Sequence, residues 1–131
     1  MGASLPFIDL TVSPQHRMFL SDWRSELHFG QAEVLVPAIS FVNGRDIRQM
    51  HDSQSVIYYH LLFDAHEVVT ANGVASESLH LGEMALASLH DDAAKEVMMI
   101  FKDLPTQMHA RKTARFVARK SDAIAALASV A

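Results

Sequence analysis

Residues 67–76 read Glu67-Val68-Val69-Thr70-Ala71-Asn72-Gly73-Val74-Ala75-Ser76. Two short runs of mostly β-type residues flank the pair Asn72-Gly73. Because Asn and Gly both tolerate a positive φ, this pair favours the tight two-residue turn of a β-hairpin. The stretch therefore predicts paired strands at 67–71 and 74–76, and it places the chain among β-rich folds.

Four earlier stretches also have the composition of strands. They either alternate apolar and polar residues or are rich in β-branched and aromatic residues, and turn residues such as Pro14, Pro37 and the pair Asn43-Gly44 lie next to them. The predicted strands lie at 7–12, 17–20, 33–36 and 55–63. Together with the hairpin they predict a mainly β part over residues 1–82.

Helical patterns replace the β-type runs after this part. From Asp91 to Leu104 the apolar residues recur at helical spacing, and Pro105 is expected to end that helix. The stretch from Ala110 to Ala131 predicts a second helix, whose basic residues we interpret as a solvated face, with an acidic partner surface as the alternative. We therefore predict two or three helices in an extension, residues 83–131, that packs on the β part within one domain.

The composition is that of a folded protein with no strong charge. The chain has 131 residues, of which 50% are hydrophobic and 20% charged, and its formal net charge is -4. This balance creates no field that favours nucleic acid or an anionic membrane, and no apolar run reaches the roughly 20 residues that span a bilayer. Cysteine is absent, so disulfides, thiolate metal sites and cysteine nucleophiles are excluded within these residues. We expect a cytoplasmic protein that binds neither nucleic acid nor membrane.

Three of the eight histidines are candidates for a site. His16, His60 and His66 could form a zinc site, but they lack a tight ligand spacing such as His-Glu-x-x-His, so we prefer an interpretation without metal or cofactor. Ser13, His16 and Asp64 have the residue types of a hydrolase triad, although Ser13 precedes a proline and no Gly-x-Ser-x-Gly motif is present. A structural role is open for each: a turn for Ser13 and His16, a strand for His60 and a hairpin cap for His66.

Two motifs resemble the Hint domain, the self-processing module that Hedgehog proteins and inteins share. Thr11-Val12-Ser13-Pro14-Gln15-His16-Arg17 has a hydroxyl residue three positions before a histidine, and Tyr59 to Ser78 runs through a strand, a histidine, a short strand, an Asn-Gly turn and a final strand. More closely, three runs are similar to a bacterial Hint subfamily of large alphaproteobacterial proteins: Ser13 to Arg17, Leu35-Val36-Pro37-Ala38, and Ala71-Asn72-Gly73 with Glu77-Ser78. The resemblance extends from about Leu5 to Leu104.

The resemblance implies a partial Hint-like β fold and a self-processing site. In the family, a Cys or Ser attacks the preceding peptide carbonyl, and the acyl shift gives an ester-like link that a second nucleophile resolves. His16 would then protonate or polarise the amide nitrogen, Ser13 would hydrogen-bond near the same amide, and His66 would assist the later step. His60 stands where inteins often have Asp, and a histidine there could still move protons. We expect His16 and His66 to converge on one pocket near the beginning of the chain.

Two departures from the family pattern limit the expected activity. The opening segment that carries the family's nucleophile has no counterpart in these residues, and Glu77-Ser78 replaces the His-Asn pair whose Asn cyclises in inteins. We therefore expect no splicing, and no cleavage by this chain alone. The alternative function is a non-enzymatic interaction module on the same scaffold. Because missing strands would leave sheet edges unpaired, we also expect a homodimer or a partner chain that supplies the missing segment.

Overall fold

The part of the chain that can be described contains a mixed five-stranded sheet with helices. The computed structural model describes residues 5–51, 55–57, 59–81, 89–102 and 112–128. Its elements are β1 (Arg17–Leu20), α1 (Trp23–Phe29), β2 (Val34–Pro37), a 3₁₀ helix (Ala38–Phe41), β3 (Val68–Ala71), β4 (Val74–Glu77), α2 (Asp91–Ile100), β5 (Phe116–Val117) and α3 (Lys120–Ala128). The strand order is β3-β4-β1-β2-β5, with β5 parallel to β2 and the other neighbours antiparallel. The predicted fold class, β-rich with helices near the end of the chain, is confirmed.

The centre of the sheet is formed by β1 and β2. In β1, Met18 and Leu20 are buried and the other two residues are half-buried, as expected for side chains that alternate across a sheet. All four residues of β2 are buried, which is typical of a strand covered on both faces. α3 packs against β2, the 3₁₀ helix and α1, so that Ala123 and Ala126 join the core. The sequence predicts both strands, β2 with a shift of one residue.

The helix α1 is not among the predicted elements, although its end signals are present in the sequence. Asp22 is the N-cap: its carboxylate accepts the N–H of Arg24 at 2.9 Å, and Ser25 completes a capping box. Gly30 ends the helix in the left-handed region, with a φ of 65°. The buried Ser25 hydroxyl donates to the Leu20 carbonyl and so fixes the helix to the end of β1.

The predicted hairpin is confirmed as β3 and β4. Ala71 pairs with Val74, and Asn72 and Gly73 between them have φ values of 51° and 82°, the positive values that a tight two-residue turn needs. A Cβ on Gly73 would lie 2.7 Å from a carbon of the Leu5 side chain. The turn therefore needs glycine both for its backbone and for the close approach of the N-terminal segment.

The predicted strand at 7–12 is wrong. This segment adopts no regular element and is bound to the hairpin turn instead. The Phe7 N–H donates to the Asn72 carbonyl at 3.2 Å, and the Asn72 side-chain amide donates to the Ile8 carbonyl at 3.3 Å. An alternating pattern gives a strand only where a neighbouring strand offers a hydrogen-bonding edge, and these backbone groups meet a turn.

The predicted strand at 55–63 is also wrong for the residues that are described, 55–57 and 59–63. Apolar side chains here are exposed, 78% for Ile57 and 91% for Tyr59. β-branched and aromatic residues favour strands because they pack against neighbouring strands. In the sheet order, however, β1, β2 and β4 already have a neighbour on each side, so this run gains no position among them.

The predicted helix at 91–104 is confirmed as α2, which ends at Ile100; residues 103 and 104 lie outside the described part. None of the described α2 side chains is buried. No helix in the described part of the chain is both long enough and apolar enough to cross a membrane.

The predicted helix at 110–131 is correct only from Lys120, where α3 begins; the residues before Lys112 and after Ala128 lie outside the described part. Before α3 the chain forms β5, because β2 offers it a hydrogen-bonding edge: the Ala118 N–H donates to the Leu35 carbonyl at 2.9 Å. Of the described basic residues in this stretch, Lys112, Arg115 and Arg119 all precede α3, so they do not line its face.

Candidate functional site

The carboxylate of Glu77, at the end of β4, lies at the centre of the candidate site. Its Oε1 accepts the backbone N–H of Arg17 at 2.9 Å, and its Oε2 accepts from the Arg17 guanidinium at 3.3 Å and from Nε2 of His66 at 3.0 Å. The antiparallel register of β1 and β4, in which Met18 faces Ser76, brings Arg17 opposite Glu77. Three donors from two parts of the chain thus hold one carboxylate that is almost fully buried.

His66 is a buried histidine whose two ring nitrogens both have protein partners. Its side chain is 1% exposed, and its Nδ1 accepts the backbone N–H of Ala114 at 2.8 Å. Because a backbone N–H can only donate, Nδ1 carries no proton, and Nε2 must carry the proton that it donates to Glu77. The contacts therefore define a neutral imidazole in the Nε2–H tautomer.

The surroundings of His66 also keep the ring neutral. Burial lowers its pKa; the charge of Glu77 and the hydrogen bond to it oppose this, while His80 and Arg17 lower the pKa further. The ring of His80 meets that of His66 edge to face, with centroids 5.0 Å apart. The net direction is a pKa below the ordinary value of histidine.

Ser78 and Glu67 fix the place where His66 leaves the hairpin. The Ser78 N–H donates to the Glu67 carbonyl at 2.8 Å, and the Glu67 N–H donates to the Ser78 hydroxyl at 2.9 Å. These bonds extend the pairing of the hairpin by one residue beyond the pair Val68 and Glu77. The buried Ser78 hydroxyl thereby sets the direction of the backbone beside His66.

His16 lies in a turn at the start of β1, next to Arg17, which binds the same carboxylate. Its N–H donates to the Ser13 carbonyl at 3.0 Å, and its carbonyl accepts the Ala38 N–H at 2.8 Å. Burial lowers the pKa of the half-buried ring, the charge of Glu77 opposes this, and His60 lowers the pKa further. Glu77 therefore binds His66 and lies within electrostatic range of His16, and His60 lies within electrostatic range of His16. None of the described residues hydrogen-bonds to the His16 ring.

Ser13 lies in the turn that its sequence motif indicates. Its carbonyl closes the turn with His16, and its side chain is half-buried. Its hydroxyl makes no hydrogen bond to the His16 ring, which a nucleophilic serine needs from its base. The described residues therefore do not form the hydrolase triad of Ser13, His16 and Asp64.

The possibility of a zinc site formed by the three histidines finds no support in the geometry. Within the described ranges, no group of three or more His, Asp or Glu side chains is arranged so that it could hold a metal ion. His66 also offers no lone pair to a metal, because Ala114 occupies Nδ1 and Nε2 carries a proton.

A comparison with protein families agrees with the motifs at both ends of this site. The family model of the Hint domain matches residues 1–83, more than half of the chain. The chain belongs to the Hint domain family. No curated protein and no solved structure matched it significantly. The chain thus carries the scaffold of a Hint-type self-processing domain, and every histidine of the site lies inside the matched part.

Three groups of this Hint site are not among the residues predicted from the sequence: Arg17, Glu77 and the backbone amide of Ala114. Arg17 and Glu77 had a signal, since each stands inside one of the two motifs and their charges are opposite. No signal in the sequence points to Ala114, which lies outside the Hint match and acts through its backbone.

Proposed function

We propose that this Hint domain carries the proton-transfer part of a self-processing site, in which His16 moves the proton and His66 positions the Glu77 carboxylate. The observation that supports the proposal is that one buried carboxylate, Glu77, binds His66 and acts on the charge of His16. His16 and His66 are 50 residues apart in the sequence, and a purely structural role for either ring would not require both to interact with one carboxylate.

The proposed chemistry follows from the state of each ring. In an acyl shift, a hydroxyl or thiol loses a proton as it attacks the preceding peptide carbonyl, and the departing amide nitrogen gains one. A neutral His16 can accept the first proton and return it to the nitrogen. Both nitrogens of His66 are engaged, so we assign it to positioning. Ser13 would hydrogen-bond to the scissile amide, and His60 would pass protons to and from His16.

The nucleophile must come from elsewhere if it is a thiol, because the 131 residues contain no cysteine. We propose that these residues do not process themselves unaided. Asn cyclisation is also outside the proposed chemistry, since Glu77-Ser78 stands where inteins have the pair His-Asn, and serine has no side-chain amide that could cyclise.

The test uses the chain with a Hint opening segment, including its nucleophilic Cys, fused ahead of Leu5. Mass spectrometry with and without added thiol measures cleavage at the Cys. We expect His16→Ala to slow cleavage by about 100-fold or more, the usual contribution of a general acid or base. His51→Ala, at an exposed histidine, is the matched control and should cleave like the parent. Cleavage of the His16→Ala protein at the parent rate would refute the proposal.

The second candidate is an interaction module, favoured by exposed apolar side chains among the described residues between 55 and 63. Val56, Ile57 and Tyr59 are each more than half exposed, and such a surface is typical of contacts with another chain. A homodimer or a partner chain would cover it. Light scattering should then show a dimer that Ile57→Lys dissociates and the control Ile100→Lys, at an exposed residue of α2, does not. A monomer at micromolar concentration, together with thiol-induced cleavage, would favour the first candidate.

A further inference from the structure

Residues 112–118, which we call the strap, connect a part of the chain outside the Hint match to the candidate site. The Ala114 N–H in the strap donates to Nδ1 of His66 at 2.8 Å, although the two residues are 48 positions apart. The strap begins beyond residue 83, where the family match ends. The group that completes the hydrogen bonding of His66 is therefore supplied by sequence that is not part of the matched Hint domain.

Three contacts beside Ala114 hold the strap in place. Arg115 forms an ion pair with Glu33, at the entrance to β2. β5 pairs in parallel with β2, and the Ala118 N–H donates to the Leu35 carbonyl at 2.9 Å. Ala118 is itself buried in the core. These contacts all lie on the C-terminal side of Ala114 and begin at the next residue, so the sheet and the ion pair hold its amide in place independently of His66.

The Ala114 amide strongly affects the tautomer of His66 because that ring is buried. A ring with both nitrogens in water exchanges its proton between them, whereas a fixed donor at Nδ1 excludes the tautomer that carries a proton there. If the proton of the neutral ring were on Nδ1, two N–H groups would face each other and Glu77 would lose the donor that His66 provides. Such a loss in a buried site costs more than an ordinary hydrogen bond contributes.

We infer that the strap is a positioning device, in which the Ala114 amide fixes His66 as the Nε2–H tautomer and so keeps the ring directed at Glu77. With the strap in place, Glu77 keeps its three donors, and His16 is the ring whose nitrogens remain available for proton transfer. With the strap displaced, Nδ1 of His66 gains an open lone pair and the ring is no longer confined to one tautomer. The link to proton transfer rests on the proposed function; the fixed tautomer does not.

The test is the nitrogen spectrum of the histidine rings in the full chain labelled with ¹⁵N-histidine. Long-range proton–nitrogen correlation distinguishes protonated from unprotonated ring nitrogens, and a His66→Gln sample assigns the His66 signals. In the parent chain we expect a single pattern, with an unprotonated Nδ1 and a protonated Nε2. A protonated Nδ1, or a mixture of tautomers, would overturn the inference at once.

Two variants then test the role of the amide. Ala114→Pro removes the N–H, and we expect the loss of the single-tautomer pattern at His66; Ala114→Gly keeps the N–H and should leave the pattern unchanged. A folded Ala114→Pro protein with the parent pattern would overturn the inference.

If Ala114→Pro does not fold, variants of the ion pair between Arg115 and Glu33 test the inference instead. Arg115→Glu puts two carboxylates together, and we expect a mixture of tautomers at His66. Adding Glu33→Arg restores an ion pair with reversed charges, and the parent pattern should return. A folded Arg115→Glu protein that keeps the parent pattern would contradict the inferred role of the strap. These spectra are independent of cleavage, so the parent rate in His16→Ala would refute the proposed function and leave the strap intact.

Discussion

His66 and His16 both interact with the Glu77 carboxylate, His66 through a hydrogen bond and His16 through its charge, and they lie in two regions that are built differently. His66 lies beside the β3–β4 hairpin, where its ring is buried and both nitrogens have partners, Glu77 and the Ala114 amide. His16 lies in a turn before β1, where its backbone is bound on both sides but none of the described residues binds its ring. A histidine that must exchange protons needs an available nitrogen, while one that must hold a geometry needs none.

Because of this difference, we assign His66 to positioning and His16 to proton transfer within one site. Sequence motifs mark the two histidines equally, since each stands beside a turn and a strand. The structure distinguishes them through contacts that are remote in sequence. The following changes test whether the difference is as large as the contacts indicate.

The largest expected effect is the loss of stability in His66→Ala compared with His16→Ala. Removing the His66 ring takes one of the three donors from the Glu77 carboxylate and leaves the half-buried Ala114 amide without its acceptor, and we expect a loss of about 2–4 kcal/mol in the free energy of unfolding. His16→Ala breaks no hydrogen bond to the ring among the described residues, and we expect less than about 1 kcal/mol. Urea unfolding followed by circular dichroism at neutral pH measures both. Equal losses would remove the distinction between the two regions.

A glycine pair tests how far the region of His66 depends on its hairpin. Gly73 and Gly44 both have positive φ, 82° and 74°, but a Cβ on Gly73 meets Leu5 and Phe7, whereas one on Gly44 meets nothing within 4 Å. Gly44→Ala should cost about 1 kcal/mol for the backbone alone. Gly73→Ala should cost roughly 1 kcal/mol more, because overpacking adds to the same backbone strain. Similar midpoints of thermal unfolding for the two variants would show that the N-terminal segment does not pack on the turn.

The hairpin could be predicted from the sequence because neighbouring residues determine it. Asn72-Gly73 and the flanking β-type residues specify the turn and both strands without help from the rest of the chain. The run at 55–63 has a stronger strand composition, yet its described residues form no strand. A strand exists only with a partner edge, and which edges are left open is a property of the whole sheet.

The same distinction explains what could be predicted of the site. The positions of His16 and His66 followed from motifs that carry a family resemblance. The partners of those rings did not, because Glu77 acts from the opposite strand and Ala114 acts through its main chain. The N–H of an alanine has no signature in a sequence, since every residue except proline has one. β5, which positions that amide, was hidden inside a predicted helix.

The stability of the chain should decrease as the pH falls, and both histidines contribute. Their pKa values in the folded state are lowered below the ordinary 6.5, so the unfolded chain takes up protons at a higher pH than the folded one. Stability is therefore complete above about pH 6.5 and is lost as the pH falls towards the folded pKa values. Urea midpoints measured at several pH values should decrease below that point, and less steeply in His66→Gln. A urea midpoint that does not change with pH would contradict the lowered pKa values of both histidines.

The smallest expected effect is a common shift of the two histidines when Glu77 loses its charge. The carboxylate raises the pKa of both His16 and His66, against the effect of burial. Glu77→Gln keeps an acceptor for the N–H of His66 but removes the charge, so both pKa values should fall further below the ordinary value. Glu67→Gln, at the exposed neighbour of His66, is the matched control. It should change the pKa of both rings less than Glu77→Gln does. Titration of the ring signals by nuclear magnetic resonance follows the two histidines separately. A fall confined to His66 would mean that His16 does not share the carboxylate, and the two regions would then belong to different sites.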